Sequence, residues 1–194
     1  MFRLCAIMRA MPDLLSSETI SRELGTRVVG RRVVCYERVG STNDTAAQLA
    51  DAGEAEGAVV IADEQTHGRG RIGRAWLAPA QSSILMSVLL RPDARACKQI
   101  GMAVALGACD AIEQVTDLKP QLKWPNDILL NGKKCAGILV EAKTLGDEIE
   151  YAIVGMGVNV NFRAAEIEGI PRDATTIADE LGAGVPREIG RAHV

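Results

Sequence analysis

Asn131-Gly132 separates two apolar runs, and this dipeptide is the strongest short hairpin signal because both turn positions need positive φ. A strand at Ile128 to Leu130 is therefore predicted to fold back onto one at Lys134 to Ala142. Gly146-Asp147 repeats the device and turns that strand onto Ile149 to Asn161. Strands joined by tight turns run antiparallel. Upstream, Arg32 to Val39, Gly57 to Asp63 and Ser83 to Leu90 also read as strands. The unbroken run Ala58-Val59-Val60-Ile61-Ala62 predicts burial on both faces. Gln121 to Trp124 brings the number to about seven.

Helices fall between them. Ser17 to Leu24 is flanked by Ser16 as N-cap and Gly25 as stop. Ser41-Thr42-Asn43-Asp44 caps a helix over Thr45 to Ala52, which Gly53 ends. Ala94 to Val115 places Ile100, Val104, Ala108 and Ile112 at helical spacing. Thr175 to Leu181 starts a last helix. The predicted class is α+β, a mixed, mostly antiparallel sheet with helices packed on it.

The chain has 194 residues, 47% of them apolar and 24% charged, with a net charge of -3. One globular domain is expected, not a disordered, collagen-like or coiled-coil chain. The mildly acidic balance and 3% aromatics argue against a nucleic-acid binder. Ile20 to Gly25 faintly resembles part of a helix-turn-helix, but such a module needs about three helices. No run reaches the ~18 apolar residues of a membrane span. The Met1 to Met8 stretch, broken by Arg9 and Pro12, is too short for a signal peptide, and Met8 or Met11 are alternative starts. Cys5, Cys35, Cys97, Cys109 and Cys135 never fall at CxxC spacing, so free thiols in a cytoplasmic setting are expected. His67 and His193 are the only histidines; a histidine-rich metal site is excluded, no metal ligands are assigned, and a catalytic triad has only His67 to draw on.

Residues 65–81 form a long loop without apolar periodicity, a length usually functional or disordered. Within it, Gly68-Arg69-Gly70-Arg71-Ile72-Gly73-Arg74 contains GxGxxG, but Pro79 blocks the helix that a dinucleotide loop must open into. Walker A is excluded for lack of Gly-Lys-Ser/Thr. Glycines expose backbone N–H groups and arginines grip phosphate or carboxylate, so the loop suits a polyanion such as a triphosphate, against the plainer alternative of a solvated basic loop. In Lys123-Trp124-Pro125-Asn126-Asp127, Trp124 reads as a core anchor and Pro125 as a turn former; Asn126 and Asp127 are balanced between turn and functional roles. Lys133 reads as solvated. Lys134 enters an apolar strand, which requires an anionic partner or access to water.

These motifs, with Gly155-Met156-Gly157-Val158-Asn159, resemble in order and spacing the biotin–protein ligases, also called biotin–[acetyl-CoA-carboxylase] ligases, over residues 32 to 182. The resemblance implies a class II aminoacyl-tRNA-synthetase-like catalytic domain that uses ATP and Mg2+ to make biotinyl-5'-AMP and passes biotin to a lysine of the biotin carboxyl carrier protein. It implies that Ser41, Thr42 and Gln65 bond the ureido ring, with Asn43, Gly68 and Gly70 in the same biotin site. Arg69 orders the loop, Arg71 holds the acyl-adenylate and Arg74 contacts triphosphate. Lys134 bridges the biotin carboxylate and α-phosphate, and Gly137 allows close approach on its strand. Trp76 covers adenine, Asn159 touches it, Asn126 lies near phosphate or Mg2+, and Asp127 orients or deprotonates the acceptor amine. Alanine-rich strands supply apolar walls.

By the same resemblance, residues 1–31 are an N-terminal helical extension, with no DNA-binding domain, and 32–186 the catalytic domain. Residues 187–194 are a short tail where relatives continue into an SH3-like domain, and Glu188 to Val194 is similar to an in-frame translation of sequencing adapter. A homodimer is the base-rate assembly. A lipoate or octanoate ligase or transferase of the same fold, or a non-catalytic biotin-binding remnant, are the alternatives.

Overall fold

The computed structural model describes residues 15–22 and 24–187. Cys5, Met8, Met11, His193 and the tail from Glu188 lie outside the described residues. The strands are β1 (Arg32–Val39), β2 (Ala58–Gln65), β3 (Ser83–Leu90), β4 (Gln121–Lys123), β5 (Asp127–Leu130), β6 (Lys133–Leu145) and β7 (Glu148–Asn159). The helices are α1 (Ser17–Ser21), α2 (Thr42–Asp51), α3 (Ala94–Thr116) and α4 (Ile177–Leu181). All seven strands share one sheet, ordered β1-β2-β3-β7-β6-β5-β4. β1 and β2 are parallel, joined through α2, and every other neighbouring pair is antiparallel. The mixed α+β expectation is met, including both hairpins.

Period-2 alternation sorts the strand side chains. Val59 and Ile61 of β2, Ile84, Met86 and Val88 of β3, and Val154 and Val158 of β7 share the main core with Ile20 of α1 and Ala105, Ala108 and Ile112 of α3. Val60, Leu89 and Ile153 point the other way and pack on Ala46 and Ala50 of α2. The short α2 packs on β2, β3 and β7. It leaves the rest of that face to the long loop, and this gap becomes the site.

Several boundaries differ from the sequence reading. α2 starts at Thr42 rather than Thr45, because Ser41 occupies the N-cap position without using its side chain as a cap. Its carbonyl accepts from the Thr45 N–H at 3.1 Å instead. α1 ends at Ser21, short of the expected Leu24. Ile20, part of the faint helix-turn-helix pattern, is 8% exposed and belongs to the core. Thr176 rather than Thr175 precedes α4, and its hydroxyl accepts from the Asp179 N–H at 2.9 Å.

Arg187, grouped by sequence with the tail, is part of the folded structure. Its guanidinium is buried and lies 2.6 Å from Asp63 Oδ1 on β2. Cys35, Cys97, Cys109 and Cys135 are free. Burial pushes the Cys109 thiol up to about 11 and the Cys135 thiol up to about 12, so both are poor nucleophiles. No helix among the described residues is long and apolar enough to cross a membrane.

Leu89 is fully buried, so Leu89→Ala should lower unfolding free energy by about 2–5 kcal/mol in chemical denaturation. Arg187→Met removes the cation facing buried Asp63 and should cost about 3–5 kcal/mol, with partial recovery when Asp63→Asn is added.

Candidate active site

A cleft of about 470 Å³ opens over the part of the sheet that α2 leaves bare. Its floor is built on a pair of glycines. Gly137 of β6 and Gly157 of β7 are register partners, and the indole of Trp76 lies against both. A Cβ on Gly157 would sit 2.5 Å from Trp76 Cε2, and one on Gly137 would sit 3.0 Å from Cζ3. Lys134 Nζ lies 5.6 Å from the indole centroid, within cation–π range. Trp76 Nε1 is buried and has no hydrogen-bond partner among the described residues.

The loop that carries Trp76 is closed by its own backbone. The Trp76 N–H donates to the Gly68 carbonyl at 2.9 Å and the Gly70 N–H to the Arg74 carbonyl at 2.7 Å. Gly68 serves this closure: a Cβ there would lie 2.5 Å from the Trp76 carbonyl oxygen. Of the residues expected at the site, Gly68 alone is absent from the cleft lining. A single 3-10 turn at Arg71–Gly73 forms the tip, where Ile72 has φ 56° and is 92% exposed. A left-handed β-branched residue costs roughly 1–2 kcal/mol, and such strain tends to gather at functional sites.

The three loop arginines are used differently. Arg69 Nη1 donates to Asp44 Oδ2 at 2.6 Å and Nη2 to Glu141 Oε2 at 3.0 Å. The hydrogen bond to Asp44, with a smaller contribution from Glu141, pushes its pKa further up against partial burial. Arg69 therefore fastens the loop. Arg71 Nη1 donates to a neutral acceptor, Asn126 Oδ1, at 3.1 Å, and Asn126 Nδ2 donates to the Ile138 carbonyl at 2.9 Å. Arg71 and Arg74 both line the cleft, without an acidic partner among the described residues.

Lys134 has the anionic partner its position demands. Its Nζ lies 2.6 Å from Asp127 Oδ1, with both side chains partly exposed. Its backbone is clamped outside the sheet too: the N–H donates to Asp173 at 2.7 Å and the carbonyl accepts from Thr175 at 2.8 Å. Asn159 Nδ2 donates to the Thr175 carbonyl at 3.1 Å, whereas its buried Oδ1 has no partner among the described residues. Trp124 is 80% exposed at the rim, not a core anchor. It follows β4, a three-residue terminal strand exposed at every position, which offers no core to enter.

The other end of the cleft is polar. The Thr42 N–H and hydroxyl both donate to Gln65 Oε1, at 2.7 and 2.9 Å. Ser41, 3% exposed, keeps its hydroxyl out of the helix cap. Ser87 Oγ lies 2.6 Å from Asn43 Oδ1 and 2.8 Å from Thr42 Oγ1. Asn43 Nδ2 donates to Glu141 Oε2 at 2.6 Å. Sequence reasoning did not single out Ser87, Asp44 or Glu141. Ser87, a hydroxyl inside the apolar run Ser83 to Leu90, was the available signal; nothing local marks Asp44.

A sequence profile of the biotin/lipoate A/B protein ligase family matches residues 35–159. The chain is 37% identical over 185 residues to the bifunctional ligase/repressor BirA of Bacillus subtilis, covering 94% of this chain and 56% of that protein. It is 34% identical over 186 residues to the biotin–[acetyl-CoA-carboxylase] ligase of Mycobacterium tuberculosis, covering 90% of this chain and 66% of that one. It thus spans between about half and two thirds of these relatives' lengths. A biotin protein ligase from Aquifex aeolicus, solved with biotin and ATP, superposes with a TM-score of 0.68 at 32% identity, covering 83% of this chain and 68% of the other. One from Leishmania major, solved with biotinyl-5-AMP, gives 0.69 at 27% identity, covering 84% and 71%. By its residues 35–159 and the fold that carries them, the chain belongs to the biotin/lipoate A/B protein ligase family.

Proposed function

We propose that this protein activates biotin with ATP to form biotinyl-5'-AMP and then transfers the biotinyl group to a lysine of a biotin carboxyl carrier protein, that of acetyl-CoA carboxylase. The observation that carries this reading is the division of one cleft into a polar end, at Ser41, Thr42 and Gln65, and a cationic end, at Arg71, Arg74 and Lys134. Biotin is polar at both ends: a ureido ring that accepts and donates hydrogen bonds, and a carboxylate separated from it by an apolar tail. The Gly137–Gly157 floor beneath Trp76 suits that tail. A lipoyl or octanoyl group has no hydrogen-bonding function at the far end, so it would leave the buried Ser41 hydroxyl, which makes no cap bond, facing hydrocarbon. The ligands named for the Aquifex and Leishmania relatives are of the proposed kinds.

In the first step a biotin carboxylate oxygen attacks the α-phosphorus. The new P–O bond forms as the bond to the β-phosphate oxygen breaks, and pyrophosphate leaves. Two anions must converge, so the reaction depends on cations and positioned donors rather than on an enzyme nucleophile. Lys134, aimed by Asp127 and clamped through its backbone, is the cation between carboxylate and α-phosphate. Arg71 holds the mixed anhydride and Arg74 faces the departing phosphates. Asn159 Oδ1 is an acceptor suited to an exocyclic amine such as that of adenine. In the second step the acceptor amine attacks the carbonyl carbon, the C–N bond forms, AMP leaves, and Asp127 takes the amine proton.

Among the described residues there is no group of three or more His, Cys, Asp or Glu side chains fit to hold a metal. Mg2+ enters with ATP as the MgATP substrate, on phosphate oxygens, with Asn126 beside them. The free thiols at Cys35, Cys97, Cys109 and Cys135 accord with a cytoplasmic setting.

With MgATP, labelled biotin and a purified carrier domain, label should reach the carrier; absence of both biotinyl-AMP and biotin binding would refute the assignment. Lys134→Ala should slow adenylate formation by roughly 10²–10³-fold in single-turnover assays, the scale of losing one preorganised electrostatic donor. Arg71→Gly should leave the adenylate forming but speed its release by about 10- to 100-fold, in line with one lost charge-assisted hydrogen bond; a trapped-intermediate assay separates the two steps.

A further inference from the structure

Glu141 of β6 lies outside the cleft lining, against Asn43 of the polar end and Arg69 of the loop, and the proposed chemistry gives it no task. Its Oε2 accepts from Asn43 Nδ2 at 2.6 Å and from Arg69 Nη2 at 3.0 Å. Asn43 is 5% exposed and belongs to the polar end. Its Oδ1 accepts from Ser87 Oγ at 2.6 Å, Ser87 in turn lies 2.8 Å from Thr42 Oγ1, whose proton can serve it, and the Thr42 N–H holds Gln65 Oε1 at 2.7 Å. Arg69 belongs to the loop and holds Asp44 with its other nitrogen. An unbroken polar chain therefore runs from Gln65, through Thr42, Ser87, Asn43 and Glu141, to Arg69.

The surroundings leave this chain little freedom. A Cβ on Gly155 would lie 2.1 Å from Asn43 Oδ1, so the Asn43 amide is seated directly against the β7 backbone. Ser87 is fully buried. Asn43 offers one amide nitrogen to Glu141 and its oxygen to Ser87, so turning the amide would break both contacts. Among the described residues Glu141 is the carboxylate that Asn43 and Arg69 share.

We propose that Glu141 is a positioning residue that couples the polar end of the cleft to the Gly68–Arg74 loop. Biotin's placement at that end rests on the ligase reading; the mechanical link between Asn43 and the loop does not. A ligand that bonds Thr42 or Gln65 fixes Ser87 and Asn43, Asn43 holds Glu141, and Glu141 holds Arg69 and with it the loop that carries Arg71. Asp44, which touches only the Arg69 side, anchors the loop without carrying this signal.

The test uses two readouts. In the ligand-free chain, tryptic cleavage at Arg71 and Arg74, measured relative to cleavage at Lys143, should rise about tenfold in Glu141→Ala, the scale of one lost charge-assisted bond. It should rise as well in Asn43→Ala, although Asn43 does not touch the loop. Asn43→Ala should add nothing further on a Glu141→Ala background, the non-additivity expected of one linked chain. Isosteric Glu141→Gln keeps an acceptor oxygen but loses the charge, and should fall between wild type and Glu141→Ala; it also decides the matter should Glu141→Ala fail to fold. The second readout is biotin affinity by calorimetry, which should fall about tenfold in Glu141→Ala; Asp44→Asn, which loosens Arg69 from its other side, should lower it too, but its effect on loop cleavage should add to that of Asn43→Ala where that of Glu141→Ala does not. Loop cleavage within about twofold of wild type in both Glu141 variants, or additive effects of Asn43 and Glu141, would overturn the coupling. A wild-type chain that binds no biotin would instead refute the ligase reading, while the cleavage series would still decide whether Glu141 links Asn43 to the loop.

Discussion

Gly137 and Gly157, facing each other across β6 and β7, leave a trough in the sheet, and the indole of Trp76 fills it. Most of the site follows from that contact. It sets the depth of the cleft, lays an aromatic surface beside Lys134, and brings the loop between β2 and β3 down onto the middle of the sheet. A side chain at Gly157 would meet the indole at 2.5 Å and force it to shift, and one at Gly137, at 3.0 Å, would press it back by a few tenths of an ångström. The arginines at the loop tip would then move with it.

Charge is arranged around this contact in two roles. Arg69 is held by Asp44 and Glu141 and acts as a fastening. Arg71 and Arg74, which have no such pairing among the described residues, remain available for an anion in the cleft. Lys134 is intermediate: Asp127 holds it in place, yet both groups keep access to solvent and to the cleft. The proposed joining of two anions calls for such a mixture: unpaired cations attract anionic ligands, and paired ones are held in place.

Much of the fold was legible in the sequence. Asn131-Gly132 and Gly146-Asp147 forced the β5–β6–β7 hairpins, because few residues other than Asn, Asp and Gly take the required backbone angles. The long helix and the apolar strands followed from their periodicity. The errors arose where a distant partner outcompeted a local preference. Thr42 and Asn43 look like capping residues before a helix, but they are already inside α2, because Gln65, Ser87 and Glu141 satisfy their side chains. Trp124 looks like a core residue by size, but β4 is the terminal strand and provides no interior.

The sequence by itself determined the kinds of chemistry present: glycines that allow close approach, arginines and a lysine suited to anions, and hydroxyls and amides suited to a small polar ligand. These are properties of residue type and local spacing. Only the tertiary structure decided which arginine is fastened and which is available, that Glu141 joins Asn43 to Arg69, and that Gly155 and Gly157 are glycine because Asn43 and Trp76 press against them. The physical reason is sequence separation. Asn43 and Glu141 lie 98 residues apart, and Arg69 and Glu141 72 apart. Contacts over such distances are set by strand order and register across the whole sheet, which no local pattern of residues encodes.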